Sequence, residues 1–153
     1  MNELQIHLLF NHVPVIGVMA ATLMVVIGIV TKQSAVRSAG LIVYILFALA
    51  VVPTYVSGEG AEERVEHITG IDEHALEEHE DMSIISLWAT LAAAAIALGA
   101  FVTNYRGNSS ARAFTLAFVV VAVLANIHIG LTAHEGGKIR RPDLQTATSE
   151  HEH

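Results

Sequence analysis

Four long apolar runs constrain what this chain can become more than any other feature. They occupy residues 13–31, 39–56, 83–103 and 113–133. Each holds about twenty residues with almost no charge, which is enough for a helix to cross a hydrocarbon core of roughly 30 Å. One such run also fits a buried helix of a soluble protein, but four in succession do not. The sequence predicts an all-α, four-transmembrane-helix bundle, forming a single membrane domain over residues 1–153.

The composition agrees with this fold and excludes several classes of site. Hydrophobic residues make up 53% of the chain and charged residues 15%, whereas soluble chains carry about 25% charge. Cysteine is absent, which rules out disulfides, thiolate metal sites and cysteine nucleophiles. The net charge of -7 argues against nucleic-acid binding. Residues 1–11 contain no Lys or Arg, so the first run is predicted to be a retained helix and not a signal peptide.

A polar segment, residues 57–82, separates the second and third apolar runs. It holds ten of the fifteen carboxylates and three of the nine histidines. Ala61, Val65 and Ile68 recur at helical spacing, which predicts an extra amphipathic helical segment on the membrane surface between helices 2 and 3.

Local signals suggest where helices start and stop. Residues 69–72 resemble a capping box for a helix that continues into the third crossing. Pro14 suits the first turn of the first crossing, whereas Pro53 is expected to kink or end the second one. The C-terminal tail, residues 138–153, is predicted to be partly disordered.

Charge in the connections predicts the orientation. The loops at residues 31–38 and 104–112 are short and lack acids, and their basic residues are Lys32, Arg37, Arg106 and Arg112. Basic residues are tied at four on each side, but those on the other side are diluted among acids. The positive-inside rule then puts both termini and the polar segment on the outer, periplasmic side of a bacterial inner membrane.

Histidines from different helices gather at that outer face. His12 precedes the first run, His134 follows the fourth, His128 lies within the fourth, and His79 lies before the third. Imidazoles at matched depth on separate helices are what a bis-histidine haem b in a four-helix bundle requires. His12, His79, His128 and His134 are therefore the predicted haem ligands of a membrane electron-transfer protein, working with a periplasmic carrier, quinone or larger redox complex.

Two other functions stay open. Carboxylates and histidines of the polar segment fit a site for non-haem iron or another divalent metal; its candidate ligands are Glu59, Glu62, Glu63, His67 and His79. Alternatively, the chain is a cofactor-free accessory subunit whose acidic surface docks a basic partner such as a cytochrome c. No catalytic residue is predicted, since hydrolase and phosphate-loop motifs are absent. Asn126 is expected to make an interhelical hydrogen bond, and oligomers are possible.

The chain also resembles a family of small bacterial membrane proteins with four predicted crossings. The resemblance rests on four patches: residues 11–14 (NHVP), 58–66 (GEGAEERVE), 79–80 (HE) and 134–140 (HEGGKIR). The family often has an apolar residue where Glu135 stands and a histidine where Arg141 stands. More distantly, the chain is similar to membrane-domain families with histidines near the first helix that are sometimes joined to iron–sulfur electron carriers. This similarity implies redox work and assigns no ligand.

Overall fold

A computed structural model describes residues 12–65 and 73–138, which form four helices. Their bounds are α1 His12–Val30, α2 Ser34–Val65, α3 Glu73–Tyr105 and α4 Ala111–Lys138. Consecutive helices contact each other, and α1 also contacts α4, so the four close into an antiparallel ring. All four are long and apolar enough to cross a membrane. The predicted four-helix bundle is confirmed, and the chain is a multi-pass membrane protein.

The two ends of the bundle differ. At one end, here called the loop end, short turns join α1 to α2 and α3 to α4. Both turns close with the same backbone pattern: Gln33 N–H donates to the Gly28 carbonyl, and Asn108 N–H donates to the Thr103 carbonyl, at 3.0 and 2.9 Å. This is the Schellman ending of a helix, which places one residue in the left-handed region. The opposite end, with the start of α1 and the end of α4, is here called the polar end.

The polar segment is built differently from the prediction. In its described part it is helical, but those residues belong to α2 and α3 themselves, because α2 continues to Val65 and α3 begins at Glu73. Residues 66–72, with the whole of the predicted capping box, lie outside the described residues, as does the tail from 139 onward. The continuation of a helix from the polar segment into the third crossing is confirmed.

The helix does not end at Pro53, which lies inside α2. Proline removes one backbone donor, but hydroxyls in the surrounding turns bond to backbone carbonyls. Thr54 donates to the Ala50 carbonyl at 3.0 Å, and Ser57 donates to the Thr54 carbonyl at 2.9 Å. These two carbonyls are not the one at Leu49 that loses its donor to Pro53, so the hydroxyl bonds flank the proline without replacing the missing backbone bond.

Small residues and two aromatic rings fill the interior. Ala93, Ala97 and Ala100 of α3 are fully buried. The aromatic side chain of Tyr44 on α2 packs edge-on against that of Phe118 on α4, with 4.9 Å between the ring centroids. This contact joins α2 to α4, the two helices that lie diagonally opposite each other in the bundle. Large apolar side chains line the outside, as expected for a surface in contact with lipid; among the most exposed are Leu23, Leu46, Trp88, Leu124 and Ile127.

Candidate functional site at the seam of helices 3 and 4

The interface of α3 and α4 carries a row of polar side chains in its half nearer the polar end. On α3, His79, Ser83 and Ser86 stand at spacings of four and three residues, so they share one face of the helix. The facing row on α4 consists of His128, Thr132 and Gly136, one turn apart. Ser86 and Thr132 are buried, and both histidines are partly exposed. These six residues are called the seam site below.

His79 is held by the backbone of the opposite helix. Its Nδ1 lies 3.0 Å from the Thr132 carbonyl oxygen. A carbonyl only accepts, so Nδ1 carries the proton of the neutral ring and Nε2 keeps its lone pair. The Ser83 hydroxyl donates to the His79 carbonyl at 2.8 Å and is 3.5 Å from Nε2, too far for a strong hydrogen bond.

Gly136 makes room for the His79 ring. A Cβ atom at position 136 would lie 2.7 Å from Cε1 of His79 and 3.0 Å from its Nδ1. Side chains do not approach so closely, so any residue other than glycine would displace the ring from the Thr132 carbonyl. The close approach of α4 at Gly136 therefore fixes where the imidazole lies.

His128 is held by two hydroxyl groups. Its Nδ1 lies 2.8 Å from Ser86 Oγ, and Ser86 Oγ lies 2.8 Å from Thr132 Oγ1. Thr132 Oγ1 in turn reaches the His128 carbonyl at 3.0 Å and the Met82 carbonyl at 3.4 Å. When Thr132 donates to a carbonyl, Ser86 donates to Thr132 and His128 Nδ1–H donates to Ser86. When both hydroxyls rotate, Ser86 donates to Nδ1, and the proton of the neutral ring is on Nε2.

The two seam histidines are close in the fold but are held at different levels of it. His79 contacts α4 at Thr132 and Gly136, whereas His128 contacts α3 at Ser86. Ser86 is seven residues beyond His79, about 10 Å along the helix. Two imidazole nitrogens bound to one metal are about 4 Å apart, since each lies about 2 Å from it. His79 and His128, two of the four predicted haem ligands, are thus linked through Thr132, whose carbonyl bonds to His79 and whose hydroxyl bonds to the serine that holds His128.

The other two predicted haem ligands lie on a different side of α4. His12 begins α1 at the polar end, and both His12 and His134 are exposed. His134 follows Asn126 and Gly130 at intervals of four residues, which places it on their row of α4. That row faces α1, since the Asn126 amide donates to Thr22 Oγ1 at 3.0 Å. His12 and His134 are therefore at the same end of the bundle, on the side where α1 and α4 meet.

The candidate ligands of a non-haem metal fall mostly outside the described part. Glu59, Glu62 and Glu63 lie on the final turns of α2, but their side chains are not among the described ones, and His67 lies outside the described residues. Within the described residues, no three His, Asp or Glu side chains come together as a metal-binding group.

Sequence reasoning found the histidines but missed the residues that position them. Ser86, Thr132 and Gly136 were not predicted to have a role. A usable signal was present on α3, where Ser83, Ser86 and Thr90 recur at helical spacing inside the third apolar run and continue the same face from His79, which precedes that run. The expected interhelical hydrogen bond of Asn126, by contrast, is confirmed by its bond to Thr22.

Comparisons with protein-family models, with curated proteins and with solved structures give no match for this chain. The resemblance to the four-crossing family therefore stays a prediction.

Proposed function

We propose that this is a membrane electron-transfer protein in which His79 ligates a haem b at the polar end of the bundle. One observation carries the proposal: the Nδ1–H of His79 donates to the Thr132 carbonyl at 3.0 Å. Histidines that bind metals usually donate their other ring N–H to a carbonyl or carboxylate, which fixes the tautomer and the ring orientation. The Gly136 contact supports the same reading, because it holds the imidazole in one position.

A second axial imidazole would come from another helix. His12 and His134 are the remaining predicted ligands and therefore the candidates, since both lie at the polar end of the bundle. His128 is left out, because it lies about 10 Å from His79 along the helices. When bound, haem would supply one-electron chemistry, and Thr132 and Gly136 would orient the His79 imidazole.

The proposal includes an orientation. The turns of the loop end carry Lys32, Arg37, Arg106 and Arg112, and the positive-inside rule assigns such turns to the cytoplasm of a bacterial inner membrane. The haem would then face the periplasm. Electrons would pass to or from a periplasmic carrier, a quinone or a neighbouring redox subunit.

The test is an absorption spectrum of the detergent-purified protein, oxidised and then reduced with dithionite, after supplying haem. We expect a Soret band that sharpens into α and β bands on reduction. His79→Ala should abolish it, and His128→Ala should keep it. A spectrum that is the same in the wild type and His79→Ala, or no Soret band at all, would contradict the proposal. Single replacements of His12 and His134 would identify the second ligand.

A non-haem metal site is the second candidate. The contact of α2 with α3 supports it, because the last turns of α2 carry Glu59, Glu62 and Glu63 towards the end where His79 lies. This reading predicts stoichiometric iron or another divalent metal without a Soret band, and loss of that metal on replacing Glu59 or Glu62 with glutamine. A protein with neither colour nor metal would favour an accessory subunit that docks a basic partner.

A further inference from the structure

His128 lies at the boundary between the seam and the surface of the bundle. It shares a row of α4 with Leu124 and Leu131, at intervals of four and three residues. These two side chains are 62% and 53% exposed, whereas Ser86, which holds Nδ1 of His128, is buried at 3%. The imidazole therefore has one edge fixed from the interior and borders the apolar surface of the bundle.

The depth of His128 restricts what can reach it. The apolar run of α4 continues to Ala133, five residues beyond His128, which is about 7.5 Å along a helix. Ions in water and phospholipid headgroups stay near the ends of a span. A ligand that reaches His128 is therefore expected to dissolve in the hydrocarbon of the membrane and to carry a hydrogen-bonding group.

The hydroxyl relay lets the free nitrogen play either role in a hydrogen bond. Among the described residues, Nε2 of His128 has no hydrogen-bond partner. With Thr132 donating to a carbonyl, Nε2 is an acceptor; with both hydroxyls rotated, Nε2–H is a donor. No side chain has to move between the two states, since the hydroxyl hydrogens rotate and the ring proton changes nitrogen.

We propose that His128, Ser86 and Thr132 form a binding site for the headgroup of a membrane-dissolved quinone or quinol. A quinone presents carbonyl oxygens, which need a donor, and a quinol presents hydroxyl groups, which need an acceptor. The relay satisfies both forms of the same ligand at one nitrogen. The inference rests on the proposed electron-transfer function, for which a quinone is the membrane-soluble partner, but it concerns different residues from the haem.

Trp88 provides a built-in reporter. It is the single tryptophan of the chain, lies two residues from Ser86 on α3, and is 66% exposed. Quenching of its fluorescence by a short-tailed benzoquinone, added to the protein in detergent micelles, measures binding. We expect saturable quenching for the wild type and an affinity about tenfold lower for His128→Ala, the loss of about one hydrogen bond.

Two further variants distinguish a loss of binding from a general loss of folding. Ser86→Ala keeps the imidazole but removes the relay, and should weaken binding to a similar degree. Thr90→Val is the matched control, because it replaces a buried hydroxyl one turn away that has no partner in the described structure; it should bind as the wild type does. Linear quenching of equal slope in all four proteins would mean collisions within the micelle and would overturn the proposal. So would equal competition by a long-chain alcohol.

The outcomes separate the two proposals. Saturable quenching that survives in His79→Ala, together with no Soret band in any variant, would leave the quinone site standing and remove the haem. A Soret band that is lost in His79→Ala, together with quenching that is unchanged in His128→Ala and Ser86→Ala, would support the haem and remove the quinone site.

Discussion

The two halves of the α3–α4 interface are built on opposite principles. Towards the polar end, α3 presents His79, Ser83 and Ser86, and hydrogen bonds connect it to α4. Towards the loop end, the buried residues of α3 are alanines, which belong to the apolar core of the bundle together with Phe118 of α4. The alanines of this half are Ala93, Ala94, Ala97 and Ala100. A polar contact returns at the loop end, where the Asn104 amide donates to Thr115 Oγ1 at 3.1 Å.

This difference matches the placement of both proposed sites in the polar half. Lipid tails are as apolar as leucine, so membrane helices associate through close packing and hydrogen bonds. The alanine half shows that close packing suffices to join these two helices. The polar half uses histidines for the same structural task, although ionisable groups in a membrane are costly. We infer that His79 and His128 are kept for binding.

The largest expected effect on stability comes from replacing a glycine with alanine, and it should differ between the two halves. At Gly136 a new Cβ would lie 2.7 Å from the His79 ring. Gly136→Ala should therefore displace the imidazole, break its bond to Thr132 and lower stability by about 1–3 kcal/mol. The measurement is the thermal midpoint in detergent, together with the haem spectrum, which should be lost.

Gly99→Ala is the matched variant in the alanine half. Its Cβ would lie 3.0 Å from the Phe114 ring, which is 41% exposed and free to shift. Alanine also favours the helix by about 0.5–1 kcal/mol, so the midpoint should be unchanged or higher. Equal losses at both positions would show that the His79 contact is ordinary packing.

The next prediction compares the loss of stability on removing two buried hydroxyl groups that lie one turn apart. Ser86 bonds to both His128 and Thr132, whereas Thr90 Oγ1 has no partner among the described residues. Ser86→Ala should cost about 1–3 kcal/mol, because His128 Nδ1 is left without its partner. Thr90→Val, with nearly the same shape, should be neutral or stabilising. Thermal midpoints of the two variants decide the matter: similar losses would mean that the seam bonds add nothing.

A smaller effect concerns Tyr44, the largest fully buried side chain. Its hydroxyl is buried without a partner in the described structure, while its ring packs edge-on against Phe118. Tyr44→Phe keeps the ring contact and removes the unpaired group, so the midpoint should rise by the equivalent of about 1 kcal/mol. Tyr44→Leu, which loses the ring contact, is the control and should lower it. A drop in Tyr44→Phe would reveal a bound water or ligand at the hydroxyl.

The sequence was enough for the fold because crossing a membrane leaves few options. Four uncharged runs of sufficient length require four helices, since the backbone must satisfy its own hydrogen bonds in lipid. Their ends were harder to predict. Pro53 predicted a kink or an end in α2, yet the helix continues to Val65, because the loss of one backbone hydrogen bond is a local cost that a long membrane helix can tolerate.

The candidate site was predictable only in part. His128 stands out in the sequence because ionisable residues are rare in apolar runs, and His79 was found because it stands just before the third run, at the end of the bundle where the other histidines lie. Their partners do not stand out, because serine, threonine and glycine are ordinary in membrane helices and composition does not tell which face of α3 meets α4. The four predicted histidines also divide between two sides of α4. The depth of a residue in the membrane can be read from its position along the chain, but the side of the helix on which it lies relative to its neighbours depends on packing.

The smallest expected effect compares the two turns of the loop end. Each ends a helix with one residue in the left-handed region, Lys32 at φ 56° and Gly107 at φ 64°. A side chain there costs about 1 kcal/mol, and glycine avoids that cost. Lys32→Gly should therefore raise the thermal midpoint slightly, and Gly107→Ala should lower it by the equivalent of about 1 kcal/mol. Neither change touches the seam site, so the haem spectrum and the quinone quenching should match those of the wild type. If the haem spectrum or the quinone quenching changed in Lys32→Gly or Gly107→Ala, the two ends of the bundle would be coupled. The separation between a structural half and a binding half would then be wrong.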